Sequence, residues 1–249
     1  MESYGPATYG DHIADIYDAM YTSRDPAEEV TRLEGLAGAG PVLELGIGTG
    51  RVAVPLSARL ASRGIALHGI DASEAMVAKL RSRAGGEAIP VAFGDMKAVE
   101  APGDEYSLIY VVFNTFFGLT EQEAQIECFA NVARKLVPGG RFAVEGFIPD
   151  LARYDRNQRT SALSLTVESV DIDVSVHDPV NQRVDFQHVL IRGSGVRLLP
   201  GSLRYAFPGE LDLMARLAGF SLESREGGWA QEPFTATSGR AVSVWRKPG

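Results

Sequence analysis

The residues best placed to do chemistry in this chain are Glu44-Leu45-Gly46-Ile47-Gly48-Thr49-Gly50. An apolar run of strand type, beginning at Pro41, leads into them, and a helix-compatible segment, Arg51 to Leu60, follows at once. Glycines in alternate positions let the backbone turn with φ > 0 and approach a ligand closely. The next helix points its N-terminal N–H groups at the same place. Two chemistries compete for this loop. Gly48-Thr49-Gly50-Arg51-Val52-Ala53 fits the G-x-G-x-x-A dinucleotide fingerprint, with an acid, Asp71, about twenty residues on. That ligand would bring a negative pyrophosphate, for which Glu44 is a poor neighbour. A carboxylate at the end of the strand, ahead of G-x-G-x-G, instead favours a ligand with cationic centres.

Further polar residues stand where successive apolar runs end. Ile65 to Ile70 ends at Asp71-Ala72, Ile89 to Phe93 at Gly94-Asp95-Met96, and Tyr106 to Phe113 at Asn114-Thr115-Phe116-Phe117. Helices fit between them: Glu74 to Arg83, capped by Ser73 or Asp71, and Glu121 to Val137, stopped by Pro138-Gly139-Gly140. Arg141 to Phe147 then returns as a fifth strand carrying Glu145. Strands alternating with helices predict a parallel sheet covered on both faces. Tyr106 to Phe113, apolar nearly throughout, reads as its central strand. Ligands of such sheets bind beyond the carboxyl ends of the strands, where these residues fall. Asn114, after an apolar strand, carries an amide that needs partners.

The flanks differ. Ile13, Ile16, Tyr17, Met20 and Tyr21 recur at three- and four-residue steps and predict one amphipathic helix, with Asp11 as a candidate cap. Tyr9, Tyr17 and Tyr21 thus stand just ahead of the glycine strand. A second helix, about Pro26 to Ala37, leads into it. After Pro149 the hydrophobic period becomes two, in Leu163 to Val176, Val184 to Ile191 and Val196 to Phe207. Asp178-Pro179-Val180-Asn181 and Gly193-Ser194-Gly195 supply turns, so an antiparallel meander is inserted here. Its expected use is to cover the crevice or to make a homodimer contact. Pro208 starts a helix to Leu217, and Phe220 to Arg225 and Ala241 to Arg246 read as closing strands. Trp229, Glu232 and Phe234 lie in the loop between those strands, as a pocket rim.

The E-x-G-x-G-x-G loop, with Asp71 and Asp95-Met96 behind it, resembles the first motifs of class I S-adenosylmethionine (SAM) dependent methyltransferases. The resemblance covers roughly residues 40 to 148. It implies an α/β, Rossmann-like, seven-stranded sheet with an N-terminal helical lid and an antiparallel strand insertion after the fifth strand. The expected layout is one domain over 1–249: lid 1–39, cofactor core 40–148, insertion 150–207, and final helix and closing strands 208–249. Asn114-Thr115-Phe116-Phe117, Gln122-Glu123, Leu213 to Gly219 and Glu232 to Ala236 are similar to bacterial natural-product methyltransferases, among them peptide N-terminal enzymes of the cypemycin type. The N-terminal Tyr-Asp helix and the insertion are similar to N,N-dimethyltransferases of deoxyaminosugars.

For the cofactor, the resemblance implies Gly46, Gly48 and Gly50 around the methionine part and Asp71 on the ribose hydroxyls. Ala72 and Met96 would flank the adenine, Asp95 would accept from its amino group, and Asn114 would lie at the methyl-transfer end. Tyr9, Tyr17, Glu44 and Arg51 complete the expected cofactor set. The acceptor would be a small molecule met by Tyr21, Phe116, Phe117 and the rim residues, and methylated on an amine or a hydroxyl. A hydroxyl needs a base; His12, His177 and His188 are candidates, with Tyr17 and Glu145 as positioning groups. Two alternatives stay open: an NAD(P)-dependent oxidoreductase on the same glycine loop, and a SAM-binding protein without methyl transfer.

The totals narrow the class. A chain of 249 residues with 45% hydrophobic residues can bury a large core. The net charge is −8 and its basic residues are scattered, so a nucleic-acid substrate is not expected. The Asn/Asp-Pro-Pro-aromatic tetrad of DNA-amino methyltransferases is also missing. No run of about eighteen apolar residues predicts a membrane span. Met1 to Gly10 is not of signal-peptide type and the single Cys128 forms no internal disulfide, so a cytoplasmic protein is expected. No His/Cys spacing calls for a metal.

Overall fold

The computed structural model describes residues 1, 3–21 and 24–249. The main sheet is built from β1 (Val42–Leu45), β2 (Leu67–Asp71), β3 (Val91–Phe93), β4 (Tyr106–Val111) and β5 (Leu136–Phe147), all parallel. Four more strands, β6 (Gln158–Leu165), β7 (Ser169–Asp178), β8 (Arg183–Arg192) and β9 (Gly195–Arg204), make a separate antiparallel meander. The chain then returns through β10 (Ser221–Glu226) and β11 (Arg240–Arg246), which complete the main sheet in the order β10-β11-β5-β4-β1-β2-β3. Only β11 runs against its neighbours. This is the seven-stranded Rossmann-like sheet that the resemblance implied, with the insertion after the fifth strand.

The helices are α1 (Thr8–Ile13), α2 (Tyr17–Met20), α3 (Ala27–Leu36), α4 (Ala53–Ala61), α5 (Glu74–Ser82), α6 (Gln122–Lys135) and α7 (Pro208–Leu217). On one face of the sheet, Leu33 of α3 and Leu56 and Leu60 of α4 pack with Val42, Leu108 and Tyr110. On the other, Phe129 and Val132 of α6 and Met214 of α7 pack with Leu43, Ile109 and Phe142. All six residues of β4 are buried, as its unbroken apolar run predicts for a strand covered on both sides. Strand order reverses between β1 and β4, so the ligand crevice of such a sheet opens above their carboxyl ends.

Three local expectations need correction. The N-terminal stripe forms two short helices with a turn between them. Its halves have different neighbours: Ile13 and Ala14 pack against Met76 and Leu199, while Asp18 receives a hydrogen bond from Thr49 of the glycine loop. Asp11 lies inside α1 and is no cap; it accepts from Ser73 Oγ at 2.6 Å. Secondly, α6 ends at Lys135, before Pro138-Gly139-Gly140, which already belongs to β5. Lys247 Nζ donates to the carbonyls of Ala133 and Leu136 at 2.7 Å each, satisfying the helix end early. Thirdly, the stretch read as one alternating strand from Leu163 is divided between β6 and β7. Thr166 and Ser169 close the turn, with the Thr166 amide donating to the Ser169 carbonyl at 2.9 Å. Period-two alternation continues on both sides of that turn and hides it.

Candidate active site

Each glycine of the loop after β1 has a left-handed backbone: φ is 69° at Gly46, 56° at Gly48 and 77° at Gly50. The three differ in what surrounds them. A Cβ on Gly46 would come within 2.4 Å of Thr115, and one on Gly50 within 2.3 Å of Leu80. A Cβ on Gly48 would meet nothing nearer than the Gly46 carbonyl at 4.0 Å, because this residue faces open space. Gly46 and Gly50 are therefore glycines for packing, and Gly48 is the one that leaves a ligand room. Asp71, at the end of β2, accepts from the Gly48 amide at 2.7 Å through one oxygen and from the Ser73 amide at 2.8 Å through the other. Burial raises its carboxyl above the usual aspartate range, and the backbone donors oppose that shift. A carboxylate offers about four lone-pair sites, so Asp71 keeps capacity for a further donor.

A cavity of about 530 Å³ opens over this loop. Of the residues singled out from sequence, it brings together Gly46, Gly48, Asp71, Ala72, Asp95 and Met96 along the strand ends. Asn114, Tyr9, Tyr17 and Tyr21 join them from the β4 end and the N-terminal helices. The tyrosines touch one another: Tyr9 Oη lies 3.4 Å from Tyr21 Oη, and the Tyr17 and Tyr21 rings are 4.8 Å apart. Burial pushes the phenols of Tyr9 and Tyr17 well above their ordinary value, so both stay protonated.

The end of β4 is strained into place. Phe113 and Asn114 both have positive φ, 59° and 64°. Asparagine tolerates this region and phenylalanine does not, so the surroundings must hold it. The Phe113 amide donates to Glu145 at 2.7 Å, the Tyr21 ring meets the Phe113 ring edge-on at 4.9 Å, and the Arg24 guanidinium lies 4.3 Å from its centroid. Asn114 Oδ1 accepts from the Phe147 amide at 2.7 Å, which ties the ends of β4 and β5 together.

Other expected site residues lie off the cavity. Glu44 is buried and does not line the cavity; Tyr110 Oη donates to it at 2.8 Å. Leu43 and Leu45 occupy the alternate face of β1. Arg51 pairs with Glu29 at 3.1 Å, and Gly50 faces Leu80. Glu145 acts from behind, on Phe113. Phe116 and Phe117 are fully buried; Phe117 packs edge-on against Phe147 at 5.0 Å, and Phe147 in turn lines the cavity. His177 is buried, stacks on Tyr154 at 4.7 Å and shares a hydrogen bond of 2.9 Å with Tyr205 Oη. Trp229 packs into the core under β11. Glu232 and Phe234 do not line this cavity, because their hairpin folds back through the Gly227 to Glu232 backbone bond. His12 is exposed and bonds to its own helix at Thr8.

The insertion supplies residues that sequence reasoning passes over. Phe186, Ser202 and Leu203 line the cavity with His188, a base candidate only from its type. Strand parity in β8 and β9 could have found them, since Phe186 and His188 share one face. Which face turns inward is a tertiary fact.

Comparison with known proteins fits this architecture. A family model described as a methyltransferase domain matches residues 42–140. The CcbJ methyltransferase from Streptomyces caelestis superposes with a TM-score of 0.89 at 36% identity, over 99% of this chain and 100% of that one. The cypemycin N-terminal methyltransferase of a Streptomyces species is 25% identical over 96% of this chain and 97% of its own length. SAM-bound CalS10, an amino pentose methyltransferase from Micromonospora echinaspora, shares the fold with a TM-score of 0.65 at 19% identity, over 93% of this chain and 96% of that one. A glycine loop ahead of two strand-end acids, the antiparallel last strand and a full-length relative at this level of identity have one reading in common: the chain belongs to the class I SAM-dependent methyltransferases, and SAM is its cofactor.

Proposed function

We propose that the chain methylates an amine of a small molecule, with the cofactor along the strand ends and the acceptor under the tyrosines and the insertion. Asp71 and Ala72 would hold the ribose side, Asp95 and Met96 the adenine, and Gly46, Gly48 and Asn114 the methionine side. The site fits such a group. Gly48 leaves open the volume that a Cβ would fill, Asp71 keeps acceptor capacity beyond its backbone donors, and Asp95 spends one oxygen on the Lys97 amide at 2.9 Å. When bound, SAM supplies a methyl group already activated by its sulfonium charge.

The protein then has to align the acceptor and exclude water. The first two helices lie over the cavity as a lid, and β8 and β9 adjoin that lid, with Ile13 against Leu199 and Asp15 paired with Arg197, to wall the acceptor side. The observation that carries the choice of an amine is the acidic wall, where Asp71, Asp95 and Glu121 stand, together with a phenol cluster that supplies no base at the lid; His188, the remaining base candidate, stands on the insertion side. Tyr9 and Tyr17 remain neutral across the physiological range, so neither can take a proton from a hydroxyl, whereas both can accept a hydrogen bond from an N–H. A neutral amine needs no base. Asp71, Asp95 and Glu121 outnumber Lys97 on the walls, which draws a cationic molecule in. The relative named as an N-terminal methyltransferase supports the same choice.

The test is methyl transfer from SAM to a panel of amino alcohols, each carrying one primary or secondary amine and one hydroxyl. Fragment mass spectrometry locates the added methyl. Methylation on nitrogen is expected; methylation on oxygen alone would overturn the reading.

A further inference from the structure

The cavity has an annex. About 200 Å³ of further space lies between the connector after β5 and the inner face of the insertion, and Phe147, Phe186, His188 and Leu203 wall both spaces. The main cavity has the size of a pocket for one drug-sized ligand. With the cofactor along the strand ends, the space left for the acceptor lies toward Phe147 and His188, where the annex opens.

The annex is built to meet something. Its aromatic side is Tyr154 and Tyr205, braced through His177, which stacks on the first and bonds to the hydroxyl of the second. Its polar side is a cross-strand row. Asp173 and His188 stand opposite one another on β7 and β8, and both line the annex; Ser161 continues the row on β6, beyond the lining. Among the described residues, His188 Nδ1 is buried without a hydrogen-bond partner, 3.5 Å from the Asp173 carboxylate, and Ser161 Oγ is buried and unpartnered too. Buried polar atoms ordinarily have partners, so the orphaned imidazole of a lining residue beside a carboxylate marks a place where a ligand's hydroxyls complete the bonding. The charged groups here are Asp150, Asp173 and Arg153. Two carboxylates against one guanidinium disfavour a phosphate.

We propose that the annex is a second acceptor subsite that takes an uncharged, hydroxyl-bearing ring of the molecule whose amine is methylated; this rests on the methyl-transfer reading above. The ring lies with its apolar face on the Tyr154 side, its hydroxyls meet His188 and Asp173, and the amine stays on the main-cavity side of Phe147.

The test uses the full chain saturated with S-adenosylhomocysteine and ligand-observed saturation-transfer NMR. The probes are methyl α-glucopyranoside and glucose 1-phosphate. The glycoside is expected to receive saturation, and the signal is expected to fall several-fold in Asp173→Asn and in His188→Ala. In Ser175→Leu, which fills the annex, it should vanish. Unchanged S-adenosylhomocysteine affinity in each variant confirms its fold, and any variant that fails this control is set aside for the other two. A glycoside signal that is absent, or equal in wild type and variants, overturns the subsite. So does stronger binding of glucose 1-phosphate. Failure of S-adenosylhomocysteine to bind the wild type refutes the methyl-transfer reading itself; its binding without annex occupancy refutes the annex alone.

Discussion

Replacing Glu44 by glutamine should flatten the loss of stability that the protein suffers as pH rises. Glu44 sits in the first motif but is sealed inside the sheet, hydrogen-bonded by Tyr110 at 2.8 Å. Burial pushes its carboxyl up to about 8 from an ordinary 4.5, against the smaller pull of Tyr110 and Arg51. Between those values the folded state holds a proton that the unfolded state has released. Stability therefore falls with rising pH across this window, by about 1.4 kcal/mol per unit, and levels off above the folded value. From pH 6 to pH 8 the loss assignable to Glu44 is about 2 kcal/mol, since the slope halves as the folded value is reached. The amide introduced by Glu44→Gln still accepts from Tyr110 and does not titrate. Urea unfolding of both proteins at pH 6, 7 and 8 should show two stability curves that diverge by this amount, with the wild type losing more. Parallel curves would refute the reasoning. S-adenosylhomocysteine affinity at pH 7 should hardly change, because the group lost is mostly neutral and does not line the cavity. A tenfold loss would mean that Glu44 acts on the ligand as an anion.

Asp71→Ala should weaken S-adenosylhomocysteine binding by about 1.5–3 kcal/mol, the range for losing a charged hydrogen-bond acceptor. Calorimetric titration reads this as a roughly ten- to 150-fold rise in Kd, and unchanged affinity would remove Asp71 from the ribose. His177→Phe should keep the stack on Tyr154 and lose the Tyr205 bond, lowering stability by about 0.5–1.5 kcal/mol with the pH profile of turnover unaltered. A collapse of turnover at normal stability would return His177 to the reaction.

The cofactor side was legible because backbone conformation and topology dictate residue types there. Gly46, Gly48 and Gly50 need φ > 0, and Asp71, Asp95 and Asn114 stand where parallel strands end, so reading the strands located the cavity wall. Spacing alone misled where parity mattered. Glu44 belongs to the loop by motif but to the α3–α4 side by alternation, and neighbours two residues away say nothing of which face is wet. Trp229 and Phe117 misled for another reason. A large aromatic in a turn looks like a rim from the sequence, yet each gains more by entering the core than by lining a pocket. The strain at Phe113 and Asn114 left no signal, since it depends on Glu145, Arg24 and Tyr21 converging from distant parts of the chain.

The acceptor side was the least legible because it is made by contacts between two covers. Asp11, Asp15 and Asp18 of the N-terminal segment each grip a different element. Asp11 takes the Ser73 hydroxyl that caps α5, Asp15 takes Arg197 of β9 in a two-pronged pair of 2.6 and 2.7 Å, and Asp18 takes Thr49 of the glycine loop at 2.8 Å and Arg83 at 2.6 Å. The pairs at the rim are exposed and contribute little stability, so their weight is geometric. They register the lid against the cofactor loop at one end and the insertion at the other. Thr49 adjoins Gly48, the residue that leaves the ligand room. The Thr49–Asp18 bond thus joins the glycine loop to the helix that carries Tyr17. On the proposed placement of the acceptor, a fixed sheet serves one cofactor while changes confined to β7 and β8 alter the wall that the acceptor meets.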